Sequence, residues 1–150
     1  MPTKLQMEAL YNRAKEMAIH SPQIGSKLAG NCTTISYGML GEARKLLGND
    51  VRLVIGWFHF QGQPRFFFSD KTLKSWIKGE KKEKYNIHCW LAKGNKIIDL
   101  TLVDTIKEID SSMIDGNLSY VDSDIANQIG IKYKEKMSGD EVLFKIGLAR

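Results

Sequence analysis

Residues 88–99 read His88-Cys89-Trp90-Leu91-Ala92-Lys93-Gly94-Asn95-Lys96-Ile97-Ile98-Asp99, and the fold turns on how this stretch is paired. Gly94-Asn95 has the composition of a two-residue hairpin turn, with glycine first as a type II′ turn prefers. The spacing predicts two short strands around it, over 86–93 and 96–102. A two-residue turn sets Lys93 opposite Lys96, Ala92 opposite Ile97, Leu91 opposite Ile98 and Trp90 opposite Asp99. Side chains alternate with period two, so His88, Trp90 and Asp99 share one face and Cys89 points to the other, toward a core. His88 and Asp99 become diagonal neighbours within reach of each other. A three-residue loop would instead pair Cys89 with Asp99 and undo the arrangement. An ordinary hairpin with a polar outer face is the alternative reading of the same residues.

Upstream, residues 71–84 (KTLKSWIKGEKKEK) carry six lysines against two glutamates, which is most of the chain's formal charge of +5. One reading is an electrostatic patch for nucleic acid or another anionic partner. The other is a solvated loop or short helix, favoured because the segment holds no arginine and a single aromatic, Trp76. A third reading makes it a lid, since it leads directly into the His88 strand. Further out, residues 51–60 (VRLVIGWFHF) are apolar on both faces, as a well-covered strand requires. Gln61-Gly62-Gln63-Pro64 reads as a turn, and 65–69 as a return strand.

A helix is expected to begin at or near Cys32 and to run to about Leu47, with Ile35, Met39, Ala43 and Leu46 as its buried stripe. Asn31 is the candidate N-cap and Gly48-Asn49 the stop. Gly38 and Gly41 inside it would be explained by close packing against another element. Residues 3–19 read as an amphipathic helix with Met7, Leu10, Ala14 and Met17 on one face, ended by Ser21-Pro22. Beyond Val103 the pattern is weak; Ser138-Gly139-Asp140-Glu141 has the form of a capping box opening a last helix through Ile146. Helices followed by sequential antiparallel strands make an α+β layout, with helices packed on one side of a sheet.

The whole chain narrows the classes. Its 150 residues, 43% hydrophobic and 26% charged, suit one domain spanning 1–150 around one core. No apolar run approaches the roughly 18 residues of a membrane span, and the N-terminus has no secretory apolar core, so the expected compartment is the cytosol. Two cysteines far apart do not make a disulfide framework, and no Cys/His set stands at zinc spacing, so neither a metal nor another cofactor is expected.

The remaining signal is chemical. A thiol reacts as its thiolate, which a helix N-terminus stabilises through unpaired N–H groups and the helix dipole. Cys32 in the first turn after Asn31 would have that environment, with its own N–H facing outward as an oxyanion donor. Alone, an isolated cysteine such as Cys32 is more often a small buried hydrophobe. A cysteine nucleophile needs a base, and histidine titrates in the right range. Of the three histidines, His20 sits at a helix end and His59 on an apolar strand; His88 has Asp99 beside it.

A cysteine opening a helix (Gly30-Asn31-Cys32), then a strand (51–57), then His88-Cys89-Trp90-Leu91-Ala92 and Lys96-Ile97-Ile98-Asp99-Leu100-Thr101, resembles the transglutaminase-like superfamily, a branch of the papain-like cysteine enzymes. The resemblance covers about residues 28–102. It implies Cys32 as nucleophile, His88 as base and Asp99 as the group that orients the histidine, with Trp90 walling the site. Cys89 stands where a small residue is common. Papain-type enzymes often place an oxyanion-hole glutamine several residues before the cysteine; Gln23 is the nearest candidate, at a longer spacing. The expected activity is hydrolysis of a peptide, protein or amide substrate, with transfer to an amine as the alternative. A non-catalytic module using 71–84 to hold an anionic partner is the reading from another class.

Overall fold

The computed structural model describes residues 2–21, 28–80 and 85–148. Helix α1 (Lys4–Ile19) starts on a capping box in which the Thr3 side chain accepts from the Gln6 N–H and the Gln6 side chain returns to the Thr3 N–H. Met7, Leu10, Ala14 and Ala18 are its buried stripe. Helix α2 (Cys32–Leu47) has the expected bounds and buries Ile35, Ser36, Met39, Leu40 and Ala43. Leu46 is exposed, and Leu47, one residue on, packs against the core instead. Gly38 is where α1 and α2 meet, because a Cβ there would lie 2.7 Å from the Met17 sulfur; Gly41 faces open space.

Strand β1 (Val51–Phe60) is the spine of a six-stranded sheet. One edge pairs antiparallel with β3 (His88–Lys93) through residues 51–56 and with β2 (Gln63–Arg65) through 58–60; the other pairs with β6 (Lys132–Ser138). Strand β4 (Lys96–Asp99) follows β3, and β5 (Val121–Asp122) follows β4. The β3–β4 register is the one the two-residue turn dictates, with Leu91 opposite Ile98, Ala92 opposite Ile97 and Lys93 opposite Lys96. Gly94 has φ +58° and Asn95 is not in the left-handed region, which is the pattern of a type II′ turn.

Both faces of the sheet are covered. Val51, Leu53, Ile55, Cys89 and Leu91 pack under α1, α2 and the C-terminal α6 (Val142–Lys145). Phe58 and Phe60 pack with α4 (Leu102–Ile109) and α5 (Ser123–Ile129) on the other side. The fold is therefore α+β with an antiparallel sheet, but its helices lie on both sides of the sheet instead of one. No described helix is long and apolar enough to cross a membrane.

Three local expectations fail for stated reasons. The return strand over 65–69 stops at Arg65, because Phe66 adopts φ +56° and turns the chain; Ser69 then caps α3 (Asp70–Ile77). The strand from 96 stops at Asp99, whose Oδ1 accepts from the Thr101 and Leu102 N–H groups (3.2 and 3.1 Å) and so starts α4. The capping box at 138–141 does not form: Ser138 closes β6, and Glu141 precedes α6 without a side-chain cap.

Candidate functional site

Cys32 is held at the start of α2 by the turn before it. Gly30 has φ +74°, a region glycine enters without penalty, and its N–H donates to Thr105 Oγ1 at 3.2 Å. That hydroxyl donates in turn to the Thr101 carbonyl at 2.9 Å, so α4 fixes the loop that presents Cys32. As the first helical residue, Cys32 has no intrahelical acceptor for its N–H. Asn31 occupies the N-cap position but makes no side-chain cap; its Nδ2 donates to the Ala29 carbonyl at 3.3 Å. Gln23 lies outside the described residues.

His88 opens β3 and is 1% exposed. Its Nε2 stands 2.6 Å from Asp99 Oδ2, which leaves Nδ1 for the thiol. The aromatic setting fixes the ring plane: Trp90 stacks at 5.6 Å and 23°, Phe58 meets it edge-on at 5.4 Å, and Phe66 lies at 5.7 Å. Burial is the largest single influence on its pKa and acts downward. The charge and hydrogen bond of Asp99, with a smaller hydrogen-bonding and charge contribution from Cys32, outweigh it and push the imidazole up to about 10.

Asp99 is fully buried and saturated. Oδ2 accepts from His88 and from the Tyr133 hydroxyl at 2.7 Å, and Oδ1 from the two α4 N–H groups. Four donors meet the acceptor capacity of a carboxylate. Gly56 makes room for this packing: it lies opposite His88 in the ladder, and a Cβ there would sit 2.0 Å from the Lys134 carbonyl oxygen and 2.8 Å from the Trp90 ring.

Cys32 and His88 open together onto a cleft of about 420 Å³, lined also by Gly30, Thr33, Phe66, Tyr85, Asn86, Ile87, Thr105 and Leu148. A larger groove of about 650 Å³ lies between α1 and residues 117–125, but no cysteine or histidine lines it among the described residues, whereas both Cys32 and His88 line the smaller cleft. The structure thus brings Cys32, His88 and Asp99 together. Trp90, 2% exposed, lies behind the imidazole and off the cleft wall, where Phe66 and Tyr85 stand instead. His20 is the C-cap of α1, and His59 packs on Trp57 at 5.0 Å; neither lines this cleft. Cys89 is buried against α2, with its pKa raised by burial first and by the charges of Cys32 and Asp99, against a lowering hydrogen bond to Ser36. No group of three or more His, Cys, Asp or Glu side chains among the described residues could hold a metal ion.

No family model, curated protein or solved structure matches the chain.

The site includes residues the sequence did not single out. Tyr133 and Thr105 come from the last third of the chain, where periodicity was weak. Tyr133 carried one usable signal, as the single aromatic in an alternating lysine-rich run, Lys132-Tyr133-Lys134-Glu135-Lys136. Phe66 carried none: a positive φ at a bulky residue costs on the order of 1–2 kcal/mol and is imposed by its surroundings. In the lysine-rich stretch, residues 71–77 belong to α3, which buries Trp76 and leaves Lys71 and Lys74 in solvent, a solvated helix; residues 81–84 lie outside the described residues.

Proposed function

We propose that this protein is a cysteine-dependent acyl-transfer enzyme that hydrolyses a peptide or amide bond, with Cys32 as nucleophile, His88 as acid and base and Asp99 as orienter. The observation that carries the reading is His88. Its Nε2 is bound to a saturated buried carboxylate, and the same ring meets Cys32 in an open cleft. A histidine raised to about 10 is an imidazolium at neutral pH and holds the proton that a leaving amine needs, while the sulfur reacts as its thiolate. The thiolate adds to the substrate carbonyl carbon, and the resulting oxyanion is met by the Cys32 N–H at the α2 terminus. His88 gives its proton to the leaving amine as the C–N bond breaks, leaving a thioester on Cys32. Water, deprotonated by His88, then cleaves the thioester and releases the acid. A nucleophile at a helix N-terminus facing a His/Asp hairpin supports the likeness to the transglutaminase-like, papain-like enzymes.

The test is acyl-enzyme trapping. The protein is mixed with a panel of peptide amides and activated esters, quenched in acid and weighed intact. A substrate-sized adduct on Cys32, absent in Cys32→Ala, is the expected result. Discharge of the adduct by added amines faster than by water would move the assignment to transamidation. Turnover unchanged in Cys32→Ala, or no adduct with any member of the panel, would overturn acyl transfer and leave a binding role.

A further inference from the structure

We infer that Tyr133 is a positioning residue for this site: its hydroxyl, carried on β6, shares Asp99 Oδ2 with His88 and sets how tightly Asp99 holds the imidazole. The inference rests on the reading of Cys32, His88 and Asp99 as the reacting set.

Asp99 Oδ1 is committed to the Thr101 and Leu102 N–H groups, so the orienting interaction falls to Oδ2. There the 2.6 Å contact to His88 Nε2 and the 2.7 Å bond from Tyr133 converge on one atom. Two donors on one oxygen divide its negative charge between them. Tyr133 is aimed by its own packing, with its ring 4.9 Å from Trp90 and 5.8 Å from Phe58. Burial, with the Asp99 charge and hydrogen bond, holds the phenol far above its ordinary range, so it remains a donor wherever the enzyme would work. The ionisable groups acting on His88 are Asp99 from β4 and Cys32 from α2; Cys89 faces the opposite side of β3. The neighbours from β1, Phe58, and from the chain after β2, Phe66, do not titrate. Removing the Tyr133 hydroxyl leaves Oδ2 to His88 alone, so the imidazolium binds its proton more tightly.

The experiment reads that proton without a substrate. Iodoacetate is an anion drawn to an imidazolium, so its rate of alkylating Cys32 falls as His88 loses its proton, and the alkaline limb of the profile reports His88. In the wild type that limb is expected near pH 10. Tyr133→Phe keeps the ring and is expected to raise the limb by about half a pH unit or more. Placing 3-fluorotyrosine at 133, a stronger donor of nearly the same shape, is expected to lower it. A merely structural tyrosine would not move the limb in opposite directions with donor strength. A limb unmoved in both proteins, with folding verified by circular dichroism, would overturn the inference while leaving the Cys32–His88 pair standing. A wild-type profile without any alkaline limb would overturn both readings.

Discussion

Replacing Asp99 with asparagine isolates the role of the carboxylate, and the hydrogen bonds fix what the substitution does. Oδ1 accepts from two backbone N–H groups, so the asparagine oxygen must take that position. Its NH2 group then faces His88 Nε2 and the Tyr133 hydroxyl. Nε2 must become an acceptor, which puts the ring proton on Nδ1, toward Cys32. The imidazole can no longer accept a proton from the thiol, and burial, now unopposed by the Asp99 charge, disfavours its cation. Loss of the imidazolium beside the sulfur is expected to slow alkylation by roughly 5- to 10-fold. The assay is the rate of iodoacetamide alkylation of Cys32 at pH 7, beside acyl transfer to any substrate found by trapping, where a wrong tautomer is expected to cost on the order of 10⁴-fold. All four hydrogen bonds to residue 99 lose the carboxylate's charge, so stability falls by about 1–3 kcal/mol, visible as a lower urea midpoint at unchanged slope. Alkylation and turnover within twofold of wild type in a folded Asp99→Asn protein would refute the orienting role.

Three further outcomes follow from the same packing. Iodoacetamide is expected to modify one cysteine in the native protein, Cys32, and to reach Cys89 only on unfolding, because Cys89 is fully buried; peptide mapping after limited labelling checks this. Stability is expected to fall as pH rises from 6.5 toward 10. His88 has its folded pKa raised from 6.5 to about 10, so its contribution is complete below 6.5 and is lost through that window, at up to about 1.4 kcal/mol per pH unit. Cys89 and Tyr133 are also raised and act in the same direction, but only above their unfolded values of 9.0 and 10.0. Urea titrations of wild type and His88→Gln between pH 7 and 8.5 therefore isolate the histidine, and equal slopes would count against it. Gly56→Val is expected to cost 3 kcal/mol or more (order of magnitude), since even its Cβ meets the Lys134 backbone at 2.0 Å; a thermal midpoint within a few degrees of wild type would show that β6 can yield.

How much of this was legible depends on whether the cause was local. The turn at Gly94-Asn95 was, because turn geometry is set by two residues, and period-two alternation then put His88 and Asp99 on one face. The bounds of α2 followed from its stripe and from Gly48. The left-handed Phe66 and the path of 103–138 were not, because each is decided by something distant in sequence; the early end of β4 has a local cause, the turn Asp99 makes with Thr101 and Leu102, hidden by reading Asp99 as a strand residue only. Phe66 turns toward His88, and Tyr133 on β6 reaches Asp99 across 34 positions. Trp90 was placed beside the site on the right face, but parity alone does not say whether a face looks into a cleft or into a second core.

The chain by itself thus determined the hairpin, the helix that begins at Cys32, and the two side chains that the turn sets side by side. These are consequences of backbone periods and turn chemistry acting over a dozen residues. Only the tertiary structure decided that Cys32 meets the free side of the His88 ring, that Tyr133 from β6 completes the partners of Asp99, and that Phe66 and Tyr85 form the wall of the cleft. Those contacts join segments far apart along the chain. They exist because burying both faces of one sheet brings the start of α2, the start of β3 and the body of β6 to a single point.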